Sequence, residues 1–492
     1  PLPRRSIQST LQSTLYSPIQ SNLYTMLAKQ RILVVGSGIS GLSFVLALLK
    51  QCEADGVAPP SVTIVEQHAE PVNDESNERA NYSIGIRGDI GGVQALESLG
   101  VLAEAQRLAC DDRGFFVGSV WRDGQWHQDV MLERSERRPE ARGLRISRFK
   151  LRALLQRSLP SHVQVRWRTR LTGVALVRDD TTSPATVHVS AQLSRSDDHD
   201  DSDGTTSEEA FELVVAADGC RSTARSLVFG EQPQYALRFT NSAGIAGCAH
   251  FADANDVPAI ARTCHGVLFG TKGRSLFLAH ESPTRVMWAL SYPTEQPRPR
   301  DVDSDQAREA LLQEARVCGA EQPALMAQLL DATPASSMRS ISMFDKMPHA
   351  SALDNRLVFI GDSTHPVSPY GGSGANMALV DGVHLGSAVA QLGRQHATIV
   401  AAVKAFDAEM VPRAERICSQ QRMMLTLSHT TKWWQLRARS MMLTCLAYPR
   451  TALTAASGLA LATVVGLAAG AYYLYNNADS LTFGGSAPEP TL

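Results

Sequence analysis

The sequence predicts an α/β fold, and three features carry that prediction. Twice, an apolar run that reads as a buried strand ends in a glycine-rich turn and restarts with helical periodicity: Arg31–Val35 through Gly36–Gly41 into Leu42–Leu49, and Arg356–Ile360 through Gly361–Gly374 into Ala375–Val380. Between them, residues 231–345 carry short β-like runs such as Ser275–Ala279 and Arg285–Tyr292, with no phosphate-type glycine loop. At 492 residues the chain has room for two or more domains with large cores. A net charge of −2 provides no global field for nucleic acid or an acidic substrate. The eight cysteines are scattered without a C-x-x-C pair, which points to reduced thiols in an intracellular protein and to neither zinc nor disulfides.

Residues 1–25 contain Arg4 and Arg5, many Ser, Thr and Gln, and no acidic residue; the first in the chain is Glu53. That bias suits an organellar transit peptide, or equally a disordered or mis-assigned extension ahead of Met26. In Gly36-Ser-Gly38-Ile-Ser-Gly41 the glycines have separate jobs: a tight turn, backbone access to a pyrophosphate, and close packing of helix on strand. A second strand, Ser61–Val65, ends in Glu66, placed to accept hydrogen bonds from adenosine ribose hydroxyls, with Gln51–Pro60 read as an added loop. The bland alternative for Glu66 is a solvated strand end. Leu144–Leu155 reads as a strand followed by an amphipathic helix whose face is Leu151, Leu154 and Leu155.

From Val163 to Val189 alternating segments predict strands, and Ser194–Glu209 is an acidic low-complexity insert. Without spaced ligands or a rigid turn it reads as a solvated disordered loop and not as a cation site. Phe211–Val215 is another buried strand, running into Ala216-Ala-Asp218-Gly-Cys-Arg221-Ser222-Thr-Ala-Arg225, where Asp218 and Ser222 can cap the helix that follows. In the second glycine turn, Gly371, Gly372 and Gly374 let backbone N–H groups approach a ligand, and the helix opening at Ala375 presents an anion-friendly N-terminus. Asp362, at the strand's carboxyl end, is placed to accept hydrogen bonds from ligand hydroxyls. Read alone, this turn is equally a tight connection.

Helices rich in Ala and Leu are expected from Val383 to about Leu446, and then Ala452–Tyr475 offers 24 residues without a charge. That length crosses a bilayer core of ~30 Å at ~1.5 Å per residue. Arg437, Arg439 and Arg450 precede it while Asp479 and Glu489 follow, so the positive-inside bias keeps the rest of the chain in the cytosol. Gly458, Ala462, Gly466 and Gly470 form a small-residue stripe suited to helix pairing. The competing reading is a buried Ala-rich helix.

Taken together and in order, G-S-G-I-S-G, A-A-D-G-C-R-S-T-A-R and G-D-S-T-H-P-V-S-P-Y-G-G-S-G resemble the motifs of class A FAD-dependent monooxygenases, the flavoprotein aromatic hydroxylases, over about residues 30–430. Some segments are similar to kynurenine 3-monooxygenases and to tetracycline-inactivating hydroxylases. The resemblance implies a Rossmann-like FAD-binding domain (26–230 and 346–400) interleaved with an antiparallel-sheet substrate domain (231–345). A helical C-terminal segment (401–450) and the transmembrane tail helix (452–475) complete the expected architecture.

By the same resemblance, Gly36, Gly38, Gly41, Glu66 and Asp362 hold the pyrophosphate, ribose and ribityl chain. Arg79, with Arg87 in reserve, and Arg148 contact FAD. Asp218 and Arg221 contact the flavin where NADPH or NADH is used, and Gly371, Gly372, Gly374 and Ala375 face its pyrimidine. His365 is expected to shape the loop and not to abstract protons. Ser363-Thr364 stand where relatives often have Ala-Ala, and Gly372-Ser373-Gly374 where they have Gly-Gln-Gly. Phe269, Phe277, Trp288 and Tyr292 are candidates for the pocket wall or the sheet core, since alternation turns half of any strand inward.

The implied reaction is reduction of FAD by NADPH or NADH, addition of O₂, and transfer of oxygen from a flavin C4a-hydroperoxide to a small aromatic or isoprenoid molecule. It requires no protein nucleophile and no metal. The implied location is the endoplasmic reticulum or mitochondrial outer membrane. Two alternatives stand beside it: a flavin oxidase or reductase on the same fold, and a non-catalytic flavin-binding membrane protein.

Overall fold

The structure, a computed structural model, describes residues 26–70, 82–110, 114–120, 126–133, 143–179, 186–197, 200–298, 304–432, 435, 436 and 439. Expectations for residues 1–25, Arg79 and the tail 452–475 lie outside the described residues. In the first half, β1 (Arg31–Val35), α1 (Ile39–Asp55), β2 (Ser61–Glu66) and β3 (Ser83–Ile86) lead through α2 (Gly92–Ser98) and α3 (Leu102–Arg107) to β4 (Gly114–Val120) and β5 (Trp126–Glu133). They are followed by β6 (Leu144–Ser147), α4 (Arg148–Arg157), β7 (Gln164–Trp167), β8 (Thr169–Asp179), β9 (Thr186–Asp197), β10 (Asp200–Phe211), β11 (Leu213–Ala216) and α5 (Thr223–Phe229). The second half runs β12 (Arg238–His250), β13 (Cys264–Phe269), β14 (Ser275–Ser282), β15 (Arg285–Pro293), α6 (Asp305–Cys318) and α7 (Pro323–Asp331). It ends with β16 (Arg339–Asp345), β17 (Leu357–Phe359), α8 (Gly374–Ala390) and α9 (Ile399–Ser428).

A five-stranded parallel sheet in the order β17-β11-β1-β2-β7 is the scaffold. Its central strands are near-continuous Val, Leu and Ile because both faces are covered, as parallel sheets require. One face packs on α1 and α8, and the other on the β8–β10 sheet through Phe211, Val189 and Leu193. Helix α1 runs further than the sequence suggested: half of the expected Gln51–Pro60 loop, Gln51–Asp55, is helical, and the helix stops at Gly56, whose φ of +62° only glycine adopts readily.

The second large sheet has seven strands, β16-β12-β15-β14-β13-β4-β5, antiparallel except for the β13–β4 pair. Two of its strands, β4 and β5, come from residues 114–133, well before the expected 231–345 unit. Alternation governs the middle of the sheet. Leu268, Leu276, Leu278, Trp288 and Leu290 are buried beneath Leu311, Ala315, Met326 and Leu329 of α6 and α7, while Val267, Phe277, Met287 and Ala289 on the opposite face are only half-buried.

The acidic insert is a correction. The described residues of Ser194–Glu209, 194–197 and 200–209, belong to strands β9 and β10, whose register runs from Asp200↔Asp197 to Phe211↔Val189. Thr205 and Thr206 suit a strand, and partners dispose of the charge: Glu209 pairs with Arg166 at 2.5 Å and Arg31 at 3.5 Å. Composition registered the carboxylates and not the basic residues that the neighbouring parallel sheet brings beside them. Among the described residues no helix is long and apolar enough to cross a membrane.

Candidate functional site

The first glycine turn divides its work as the spacing predicts. Gly36 has φ +104°, and a Cβ there would lie 2.5 Å from the Ala217 carbonyl oxygen; at Gly41 it would lie 2.3 Å from the Gly36 oxygen. Gly38 differs, since its nearest neighbour would be the Ala217 oxygen at 3.9 Å, and α1 begins there without a side-chain cap. Uncapped N–H groups thus face open space, an arrangement suited to a pyrophosphate.

Glu66 is buried at the end of β2 and its carboxylate is fully engaged. Oε2 accepts from the Ser37 amide (3.1 Å) and hydroxyl (2.9 Å), and Oε1 accepts from the His68 amide (3.1 Å) and lies 2.9 Å from Nδ1 of that ring. Burial opposes its charge, but these hydrogen bonds from His68 and Ser37 hold its pKa below the ordinary value. Arg152 of α4, not identified from sequence, donates to the Ser37 carbonyl (2.9 Å) and hydroxyl (2.7 Å) and lies 3.6 Å from Glu66. Arg148 is exposed at the start of α4, and its charge reaches both Arg152 and Asp362.

In the Ala216–Arg225 segment, Asp218 Oδ2 accepts from the Ala224 amide (3.1 Å) and Ser222 Oγ from the Arg225 amide (3.0 Å), so both cap α5. Asp218 Oδ1 is buried with no hydrogen-bond partner, an orphan that a ligand hydroxyl would satisfy. Arg221 is exposed, its guanidinium 5.9 Å from the Phe344 ring, and it reaches neither glycine turn. The tie is Arg225 instead. It is buried, donates to the Ser363 carbonyl (2.7 Å) and the Cys220 carbonyl (2.7 Å), and so joins the Asp218 turn to the Asp362 turn. The departure at Ser363 also has a use: its hydroxyl donates to the Ala216 carbonyl at 2.7 Å, linking the same two turns.

The second glycine turn prepares the N-terminus of α8. Gly372 has φ +61° with nothing within 4 Å of a Cβ, and Ser373 contributes no side-chain cap, which leaves the Gly374 and Ala375 amides uncapped. Gly371 serves packing instead, since a Cβ there would strike the Gln421 amide at 2.1 Å, and its carbonyl accepts from Arg87 Nη1 at 2.8 Å. Asn376, also missed from sequence, is fully buried; it donates to the Gly85 (2.9 Å) and Gly372 (2.8 Å) carbonyls and accepts from the Arg87 amide (2.8 Å). One side chain therefore fixes the extended strand β3 against the turn.

Asp362 is solvent-exposed, yet protein surrounds it so closely that burial, countered by the charges of His365 and Arg148, raises its pKa. Both facts hold for a carboxylate that solvent reaches although protein surrounds it. Asp218 is half-buried, and burial raises its pKa too. Behind them His365 is buried, with Nε2 2.6 Å from Asp381; Asp381 accepts from the Gly361 amide (2.8 Å) and from Arg413 (2.6 Å). Burial opposes the Asp381 charge, but His365 and Arg413 keep its pKa below the ordinary value. His365 thus acts on the loop through Asp381. A lone carboxylate inside the apolar run Asn376–Gly382 was the signal for Asp381.

Two uncapped helix N-termini, an acidic residue at the end of β2 and an orphaned Asp218 oxygen along one cleft fit FAD. The FAD binding domain family matches residues 29–421. Monooxygenase cfoF of Aspergillus candidus is 28% identical over 404 residues, 82% of this chain and 92% of the relative. The 3-hydroxybenzoate 6-hydroxylase of Klebsiella oxytoca is 25% identical over 416 residues, 81% of this chain and 89% of the relative. The crystal structure of Klebsiella pneumoniae HpxO complexed with FAD and uric acid aligns with a TM-score of 0.67 at 20% identity, over 87% of this chain and 96% of that one.

Proposed function

The chain belongs to the FAD binding domain family as a class A flavoprotein monooxygenase, and from that premise we propose that it inserts one atom of O₂ into a small, electron-rich aromatic or isoprenoid molecule. The inner face of the seven-stranded sheet carries this reading: Val267, Phe277, Met287, Ala289 and Ile341 leave apolar surface half-buried, whereas the opposite face is sealed. An apolar wall beside a polar cofactor cleft is the usual form of a pocket for a ring. The β3–β6 ribbon joins the two. Ser83 donates its amide to Glu281 (2.9 Å), Arg145 lies 5.4 Å from the Phe277 ring, and Gly85 is held by Asn376.

When bound, FAD supplies the redox chemistry, taking electrons from NADPH or NADH and activating O₂ at its C4a carbon. The chain's residues bind and orient it. Gly38 and the start of α1 would hold the pyrophosphate, Glu66 the ribose, Asp362 and Asp218 the ribityl hydroxyls, and the Gly374 and Ala375 amides would stabilise negative charge at the pyrimidine edge. Ala452–Tyr475 anchors the enzyme to an intracellular membrane with its catalytic domain in the cytosol, a reading that rests on length and flanking charge.

Two relatives, a 3-hydroxybenzoate 6-hydroxylase and a urate hydroxylase, supply probes for the test. The FAD-loaded full chain is mixed with NADPH, isotopically heavy O₂, and 3-hydroxybenzoate, urate or an isoprenoid quinol. A product that gains one heavy oxygen establishes the activity. NADPH consumption that yields only hydrogen peroxide with a broad panel of aromatic and isoprenoid compounds overturns it in favour of an oxidase.

A further inference from the structure

Five polar groups from five separate parts of the chain meet where the second glycine turn touches the sheet. Ser242 on β12, Ser275 on β14 and Ser291 on β15 are buried on the inner face, where Ser291 lies opposite Gly244 on one side and Ser275 on the other. Tyr370 enters from the glycine turn and His429 from the residue after α9. The Tyr370 hydroxyl is 2.7 Å from His429 Nε2, which lies 3.2 Å from the Ser291 hydroxyl and 3.5 Å from that of Ser242; Ser275 and Ser291 are 2.8 Å apart. The rings of Tyr370 and His429 also meet edge to face, with centroids 4.9 Å apart.

Within its own backbone the turn has one 3₁₀ contact, from the Gly372 amide to the Pro369 carbonyl at 3.1 Å, and Arg87 and Asn376 tie it to the β3 side and not to the seven-stranded sheet. The next residues inward from the serines on β14 and β15 are Phe277 and Ala289, which also pair with each other on the proposed substrate wall. We propose that Tyr370 and His429 are positioning residues that clamp the Pro369–Gly372 turn, and with it the open N-terminus of α8, to the substrate sheet, so that the flavin-facing amides keep register with the substrate wall. The substrate end of this proposal rests on the reading above; the clamp itself does not.

The protonation states suit a clamp and not a base. Burial, only partly offset by the serine hydroxyls, raises the Tyr370 pKa to about 12. Burial, with Arg439 adding to it, lowers that of His429 to about 4. Both are neutral through the middle of the pH range, and His429 is too weak a base to take a phenolic proton.

The test uses the FAD-loaded full chain without substrate and compares Tyr370→Phe, His429→Ala and His429→Gln. Readouts are the FAD dissociation constant by flavin fluorescence and the flavin midpoint potential by dye-coupled reduction. Expected are affinities weaker by on the order of 5-fold and potentials shifted to more negative values for Tyr370→Phe and His429→Ala, with recovery in His429→Gln, whose amide oxygen can accept the tyrosine proton. Potentials equal to wild type in both disruptive variants, or a His429→Gln that matches His429→Ala, would overturn the proposal. Failure to insert oxygen would appear in product mass and leave these readouts untouched.

Discussion

At the scale of single residues, Glu66 has no free lone pair. A carboxylate has about four acceptor sites, and here Ser37 and His68 fill them. Ribose hydroxyls must therefore displace a donor, and the His68 ring is the least committed, its side chain being 75% exposed. His68→Ala is expected to tighten FAD binding by roughly 3- to 10-fold, the worth of about one hydrogen bond, as read by fluorescence titration. Weaker binding in that variant would show that the imidazole supports the ribose. Glu66→Ala should act oppositely and weaken FAD by roughly 10- to 100-fold. The folded pKa of Glu66 is depressed, so its contribution to stability is complete above the ordinary carboxylate range and lost as pH falls through the lower folded value.

At the scale of elements, α1 and α8 lie so close that neither Gly382 nor Gly386 leaves room for a side chain. A Cβ on Gly382 would stand 2.7 Å from the Ser40 carbonyl oxygen, and one on Gly386 would stand 2.7 Å from that of Phe44. The contacts advance together along both helices, so the helices run parallel and present their N-termini at the same end. Gly382→Ala should cost about 1–3 kcal/mol by overpacking and reduce FAD retention, measured by thermal unfolding with and without added FAD. Unchanged stability would mean that the helices can separate freely. Asp381→Asn tests the support beneath the loop: leaving His365 and Arg413 without their carboxylate should cost roughly 3–5 kcal/mol. The strands, turns and helix starts around this site were legible because glycine spacing and apolar runs are local signals. Arg152, Arg225 and Asn376 were not, because each bonds to backbone far away in the chain, from the Arg152–Ser37 pair to the Asn376–Gly85 pair. Their sequence neighbours give no hint of those partners.

At the scale of the whole molecule, the same limit explains the sheet. Val117 of β4 lies beside Val267 of β13, a pairing 150 residues apart that no local pattern encodes. It also explains a buried polar layer beneath the site that composition could not reveal. Lys346 is 2% exposed, donating to the Met347 carbonyl at 2.6 Å, and burial, with Arg225 nearby, lowers its pKa from 10.5 to about 7. His349, packed among Phe229, Tyr235 and Phe359, is lowered by burial and by Lys346 from 6.5 to about 3. Between each pair of values the unfolded chain binds the proton that the folded chain has released, so stability rises with pH. The lysine's share is complete above about pH 10.5 and lost as pH falls to about 7. It amounts to at most roughly 5 kcal/mol. The histidine repeats the trend from about pH 6.5 down to about 3. Lys346→Met should therefore raise the melting temperature near pH 7 and flatten its rise toward alkaline pH, while His349→Phe flattens the acidic limb and leaves the alkaline one. A melting temperature that falls between pH 7 and 10 in the wild type, and is unaffected by Lys346→Met, would show that Lys346 keeps its proton in the folded protein.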